Sequence, residues 1–556
     1  MLFLERALRQ RFLLKQTCVL DVDTLGRRLP DKKIQGTAVV CGGSIAGLTA
    51  ACVCHDHFED VIIVEPEAWL SSSDAKRTDA WNQENKRTRI MQYESFHLLL
   101  AIGYISLERL FPNLADECKS SSTRIGPNYP HLHMWGSKAM TPYKEYGGCL
   151  TKTLYLGRSG LETFLRRIIL SGDYKDVRQV IGTVVGVSRD VSNPHFIDKV
   201  TVRSPDGDMT DIGASLVVGR TRFRFHICFF SNLFHHRLEG YGISDTYAKN
   251  QSPLDKLKIS YNQKVLYSTL QLHVNPELGR KLPGLPVPYD ICGVIYMFIP
   301  DATKEKRCIF SQKIDGDFIQ LCFSITGSND NELPKTLEEA KAWARSLITE
   351  VPIPEEWFAM LDMLEEVQDT MVCSQVRFAP STWIKYEKGV NLPSNWIASG
   401  DSVMRVNPNF GQGLSKAIHG AICLNKLMQT VPVSLPKDFS KKYFRIHADK
   451  IEPLWCVPVI LSQCSIRKLI YGVTFRNTTK VFDYAFATTV PVPGETLSEG
   501  AWLRWYMKKL TDLSFTDAQA GSALWHFRVL LAPPIYLFQL SLMFKVMWNL
   551  IRAPRR

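Results

Sequence analysis

The sequence predicts an α/β protein. A Rossmann-like dinucleotide-binding domain carries an inserted, mainly antiparallel sheet domain and is followed by a helical C-terminal region. Three observations lead there. An apolar run of strand length meets a glycine-rich turn and a small-residue helix at Thr37-Ala38-Val39-Val40-Cys41-Gly42-Gly43-Ser44-Ile45-Ala46-Gly47-Leu48-Thr49-Ala50-Ala51, and a second apolar run, Val61-Ile62-Ile63-Val64, ends on Glu65. That is the order of an opening βαβ unit. Strand-like runs crowd between about 252 and 385, and a second glycine-rich turn opens a helix at 400–413.

Each part of the first unit has a physical reason. Gly42 allows the tight turn and Gly47 lets the helix approach the strand closely. With Gly43 and Ala46 completing a small-residue turn, the helix N-terminus is left free to hold a pyrophosphate. Glu65 stands where an acid accepts hydrogen bonds from a ribose 2′-hydroxyl. Ser44 takes the place of the middle glycine of the usual GxGxxG pattern. A glycine-rich turn in some other α/β protein is the competing reading, and the context of strand, helix, strand and acid argues against it.

Bulk properties narrow the classes. A chain of 556 residues has two or three domains. Apolar content of 45% with 22% charged residues is that of a globular protein. The charge of +12 is spread without a Lys/Arg block, which suits solubility or mild attraction to phosphorylated cofactors and anionic membranes rather than nucleic acid. The 14 cysteines are scattered. Cys52 and Cys54 fall at i,i+2 of a helix, on different faces, and no second pair completes a metal site. Buried free thiols favour a reducing, cytoplasmic setting. Glu5 and Arg6 interrupt the N-terminus too early for a signal peptide.

Along the chain, residues 1–35 read as a basic helical segment, and 36–250 as the first part of the nucleotide-binding domain. Within it, Ser71 to Arg89 reads as a surface loop and Ile90 to Leu110 as a helix entered by a loop. A polar loop then runs to about 150, and a helix opens at Gly157-Arg158. Val180 to Val187, Lys199 to Arg203 and Leu216 to Val218 are strand candidates; residues 219–237, rich in phenylalanine and arginine, follow no period. Residues 251–385 read as the inserted sheet domain and 386–430 as the second part of the nucleotide domain. In that part a strand ends on Gly400-Asp401, and the loop Pro408-Asn409-Phe410-Gly411-Gln412-Gly413 opens a helix. Residues 431–556 read as helical, ending in the apolar run Ile535 to Ile551. That run is too polar inside to span a membrane; it suits a helix resting on a membrane surface or packing on the body.

Four segments together resemble the class A flavoprotein monooxygenases, the p-hydroxybenzoate hydroxylase-like group, and within it the epoxidase-like and uncharacterised fungal members of secondary metabolism. They are 42–51, Arg89 to Leu100 with LERLFPNL at 107–114, GRSGLETFLRR at 157–167, and GDSVMRVNPNFGQG at 400–413. The resemblance implies FAD bound in a Rossmann-like domain of the GR2 type. Gly42, Gly43, Ser44, Ala46 and Gly47 would hold its pyrophosphate and Glu65 its ribose. Arg158, Gly400 and Asp401 would contact the middle of the cofactor, and Pro408, Gly411, Gln412 and Gly413 its reactive ring. Arg89, Gln92 and His97, which occupy the place of the polar residues near the flavin, are the candidate catalytic residues.

The resemblance also implies the chemistry: NADPH or NADH as a transient donor, O₂, and hydroxylation or epoxidation of a lipophilic small molecule through a C4a-hydroperoxyflavin. That chemistry is the cofactor's, which accounts for the lack of a nucleophile triad or metal cluster in the sequence. Two other readings stay open: a reductase of the geranylgeranyl-reductase type, and a non-catalytic relative with a damaged flavin site. The second draws on one departure. The family's Asp-x-x-Gly is replaced by Gly219-Arg220-Thr221-Arg222, through an alternative or misread exon or through genuine loss.

Overall fold

The computed structural model describes residues 2–27, 33–129, 131–219, 257–301, 304–327, 332–390, 392–431, 433–455 and 501–552. The aromatic-rich stretch after Gly219 therefore lies outside the described residues.

The five apolar runs that sequence periodicity marks as strands or strand ends form one parallel sheet. Its order is Trp396–Ala398, Leu216–Gly219, Ile34–Cys41, Phe58–Glu65 and Val177–Ile181. Cys41 sits opposite Val64 on one side and Gly219 on the other, so three strands end level with the glycine turn. Helices cover the sheet, which is why these strands read as continuous apolar runs. The helix Ile45–His57 is buried at every position. It packs between the helices Arg158–Ile169 and Gly413–Met428, and this explains its lack of a polar face.

A seven-stranded sheet forms the second layer. Its order is Val372–Arg377, Val265–His273, Phe318–Thr326, Arg307–Lys313, Val294–Ile299, Leu132–Met134 and Ser137–Lys138. Neighbours run antiparallel except Leu132–Met134, which lies parallel to Val294–Ile299. Alternation along each strand divides its residues between two cores. Ile309 faces the helices Leu337–Arg345 and Glu355–Leu364, whereas Cys308 and Phe310 face Leu98, Phe96 and Tyr155.

Several elements differ from the expectation. The stretch from 90 to 110 is helical only over Ala101–Leu110; upstream, Phe96 N–H donates to Thr269 Oγ1 and Leu100 N–H to Ser415 Oγ, so tertiary partners replace the helical ladder. The polar stretch to 150 is not one loop but holds a helix, Leu114–Ser120, and the strands Arg124–Pro127 and Leu132–Met134. The strand expected at Val180 to Val187 is two, parted at Gly182, where a Cβ would come within 2.5 Å of Val202 Cγ1.

The helix Leu2–Gln16 packs on Phe439–Trp455, and Lys450 Nζ donates to Leu14 O at 2.6 Å. Farther on come the helices Ala501–Ser514 and Ala518–Arg528. The last apolar run breaks at Gln539 into a short turn, Pro534–Phe538, and the helix Leu540–Arg552. Leu542 and Val546 of that helix are buried, whereas Leu540, Phe544, Met547, Trp548 and Ile551 are exposed. No helix of the described residues is long and apolar enough to cross a membrane.

Candidate functional site

The glycine turn between the first strand and its helix is built for close approach. Gly42 has φ +115°, and a Cβ on Gly47 would lie 1.8 Å from Gly42 O. Ser44 is the N-cap in extended conformation, and its buried hydroxyl has no hydrogen-bond partner among the described residues. An orphaned hydroxyl beside the free amides of a helix N-terminus is what a phosphate oxygen satisfies. The turn thus fits the pyrophosphate of a dinucleotide.

The turn is held from behind by charge. Gly43 N–H donates to Glu65 Oε2 at 2.8 Å, and the Arg166 guanidinium donates to Gly43 O. Glu65 is buried and also accepts from Glu67 N–H. Its oxygens lie 3.3 and 3.4 Å from Arg87 Nη2. Arg87 further pairs with Glu67 at 3.1 Å and with Glu162, and Arg166 lies 3.4 Å from Glu162. Burial alone would lower the Arg87 pKa, but the surrounding carboxylates Glu162, Glu65 and Glu67 raise it above the ordinary arginine value. So the carboxylate expected to face a ribose is already engaged inside the protein, and a ribose hydroxyl would have to share it. Sequence reasoning passed over Arg87, Glu162 and Arg166. The i,i+4 spacing of Glu162 and Arg166 on one helix was the available signal.

The second turn lies across a cleft from the first. Gly400 has φ +66°. Asp401 accepts from the buried Lys416 Nζ at 2.7 Å, and the same ammonium donates to Met404 O, fixing the 400–405 loop against the helix that follows. The Asn407 side chain caps the Pro408–Phe410 turn by accepting from Asn409 N–H at 3.0 Å. Asn409 joins this turn to the second sheet: its Oδ1 accepts from Ser324 Oγ and its Nδ2 donates to Thr326 Oγ1. Gly411 has φ +64°, and a Cβ there would press on Leu98.

Nine of the residues singled out from the sequence share one cleft of about 80 Å³: Ala46, Gln92, His97, Arg158, Gly400, Asp401, Pro408, Gly411 and Gly413. Ile45, one residue after Ser44, also lines it. Gln92 Nε2 donates to Tyr267 OH at 2.6 Å, His97 Nε2 lies 2.8 Å from Gln92 O, and His97 O accepts from Gln312 Nε2, so this segment is a braced strip of wall. Beside Arg158, Asp315 accepts from Gly157 N–H at 2.6 Å, and burial pushes its carboxyl up to about 6. Gly42, Gly43, Ser44, Gly47, Glu65, Arg89 and Gln412 are not among the residues lining this cleft. Arg89 is half-buried, and its backbone N–H donates to Glu67 Oε1.

A second, larger cavity of about 140 Å³ lies alongside. Its walls are largely apolar and come from the second sheet (Leu132, Met134, Met297, Ile299), from Leu98 to Leu100, from the 406–412 loop including Gln412, and from the C-terminal helices (Met507, Leu524, Trp525, Arg528). Leu98, Met297, Val406 and Asn409 line both spaces. The cleft and the cavity therefore meet across a shared wall.

No family model matches the chain. Protein Rv3254 of Mycobacterium tuberculosis is 24% identical over 446 residues, covering 76% of this chain and 79% of that protein. Among solved structures, the flavin-dependent brominase Bmp2 aligns with a TM-score of 0.50 at 12% identity over 94% of this chain and 100% of that one. PqsL of P. aeruginosa, solved with 2-aminobenzoylacetate, aligns with a TM-score of 0.47 at 13% identity over 76% of this chain and 95% of that one. The chain has the p-hydroxybenzoate hydroxylase-like fold that the sequence leads one to expect. It combines a Rossmann-like sheet, inserted antiparallel sheets and a C-terminal helical region.

Proposed function

We propose that this protein is an FAD-dependent monooxygenase that uses NADPH or NADH and O₂ to hydroxylate or epoxidise a lipophilic small molecule. The observation that carries the reading is the shared wall: a cleft lined by Arg158, Asp401 and, from the helix that follows the Ser44 turn, Ile45 and Ala46 lies beside an apolar cavity, and Leu98, Met297, Val406 and Asn409 line both. Such adjacency suits a reaction in which a bound redox cofactor meets an apolar substrate out of bulk water.

When bound, FAD supplies electron transfer from the nicotinamide donor and activation of O₂. The chain's own residues bind and orient. The amides after Ser44 and the Ser44 hydroxyl would hold the pyrophosphate, Arg158 and Asp401 would contact the middle of the cofactor, and Pro408, Gly411, Gln412 and Gly413 would contact its ring. Gln92 and His97 act as positioning residues, since their bonds to Tyr267 and Gln312 hold the wall between cleft and cavity. The apolar lining of the cavity excludes water and sets the lipophilic character of the substrate. Kinship with epoxidase-like members and peripheral membrane contact through the exposed face of Leu540–Arg552 belong to the same reading.

The test is NADPH and NADH oxidation by the purified protein in air and under argon, with O₂ uptake recorded and a panel of lipophilic compounds added. A rate that needs O₂ and rises with a panel member is expected. A substrate-dependent rate that persists under argon would refute the monooxygenase and favour a reductase.

A further inference from the structure

We propose that the apolar cavity is an anion-anchoring site in which Arg528 binds a carboxylate on an otherwise lipophilic substrate; the proposal rests on the flavoenzyme reading for the word substrate, but not for the site. Arg528 closes the helix Ala518–Arg528. That helix is pinned over the cavity: the Asp517 carboxylate caps its N-terminus, Trp525 Nε1 donates to Asn128 O at 3.2 Å, and His526 meets Tyr146 OH at 2.8 Å. Arg528 is thus placed by rigid structure, and its side chain lines the cavity among Leu132, Met134, Met297, Leu524 and Val529.

Among the described residues, what sets this arginine apart from Arg87 and Arg166 is that no carboxylate compensates it. Arg87 and Arg166 each face carboxylates. Arg528 makes one hydrogen bond among the described residues, from Nη1 to the weak acceptor Met134 Sδ at 3.9 Å. No carboxylate among the described residues lies within ion-pairing distance of it. Desolvation lowers its pKa to about 10, so it stays protonated at neutral pH. Arg528 is half-buried, and a guanidinium that faces an apolar cavity with no anion beside it among the described residues loses part of its hydration uncompensated; an ionised carboxylate that meets its planar fork offsets that cost. The cavity shares Leu98, Met297, Val406 and Asn409 with the neighbouring cleft. A molecule held by its acid at Arg528 would extend its apolar body toward that shared wall.

The experiment compares aryl- and alkyl-carboxylic acids (2-naphthoic, 4-phenylbutanoic and decanoic) with their primary amides, which keep the shape and lose the charge. Binding to the purified full-length protein is measured by calorimetry and by quenching of tryptophan fluorescence. The expected result is at least one acid binding ~10-fold or more tighter than its amide, the step that corresponds to ~1.4 kcal/mol. Arg528→Met should bring that ratio to about one, and Arg528→Lys should keep part of it. Arg528→Met should also melt above wild type without ligand, because an unpaired charge has been removed. Acids and amides that bind alike to wild type, a preference that survives Arg528→Met, or a variant that melts lower than wild type would each overturn the proposal. The two readings separate cleanly. Charge selectivity in a protein that takes up no flavin refutes the flavoenzyme and leaves the anion site standing. O₂-dependent NADPH oxidation without any charge selectivity does the reverse.

Discussion

Replacing Arg87 by methionine tests whether the glycine turn depends on the charges behind it. The guanidinium is buried, 3.3 Å from Glu65 and 3.1 Å from Glu67, and in contact with Glu162. Without it, Arg166 still lies 3.4 Å from Glu162. Removing one partner of a buried ion pair costs roughly 3–5 kcal/mol, because the other charge stays buried. One guanidinium here serves three carboxylates, so the expected loss is at the upper end, about 5 kcal/mol at pH 7. The assay is equilibrium urea unfolding followed by circular dichroism, with bound flavin measured on the same samples. Arg87→Met together with Glu162→Gln should lose less than the two single losses added, since the second change removes one stranded charge. Flavin retention should fall with stability, because Glu65, which accepts from Gly43 N–H, would lose a charged partner that holds it in place. A loss below ~1 kcal/mol, the worth of a surface pair, or a strictly additive double variant would refute the reasoning.

Three further outcomes are expected. Gly47→Ala puts a Cβ 1.8 Å from Gly42 O, so flavin affinity should fall ~10-fold or more, equivalent to ~1.4 kcal/mol; fluorescence titration with FAD checks it, and unchanged affinity would contradict it. His419 and His447 are buried with no hydrogen-bond partner on either ring nitrogen among the described residues, and burial lowers their pKa values to about 4 and about 3. Their contribution to stability is therefore present above the ordinary histidine value near 6.5 and is lost as the pH falls toward 4; melting temperature against pH should fall less steeply for His447→Leu, and a slope equal to wild type would count against it. Phe544 and Trp548 stack on the exposed face of the last helix, so flotation with phosphatidylserine-containing vesicles should carry wild type upward and leave Phe544→Glu/Trp548→Glu behind; wild type that stays at the bottom would end the membrane reading.

What could be read from the sequence was local. The turn at 42–47 announces itself because strand, glycines, helix and acid follow one another within one short segment, and 400–413 does the same with Gly400, Asp401 and the Asn407-Pro408 turn. Long-range partners carry no such mark. Arg87 sits in a polar stretch that looks like plain surface, and its partners Glu65 and Glu162 are 22 and 75 positions away. Leu98, Leu99, Ile102 and Ile105 keep helical spacing, yet the backbone before Ala101 is irregular because Thr269 and Ser415 take its amides. Leu132–Met134 lies in a segment with turn-forming residues on both sides, and becomes a strand only by pairing with Val294–Ile299. Arg528 reads as an ordinary basic residue in the last turn of a helix; only the fold places it in an apolar cavity.

The central claim is that this fold holds a flavin with its pyrophosphate at the Ser44 turn. The most direct measurement is titration of free FAD with the purified protein, read as quenching of flavin fluorescence and as an absorbance spectrum of the dialysed complex, with Gly47→Ala alongside. The account predicts one FAD per chain that survives dialysis in wild type and is lost in the variant. A well-folded wild-type protein that stays colourless and leaves FAD fluorescence unchanged would contradict it.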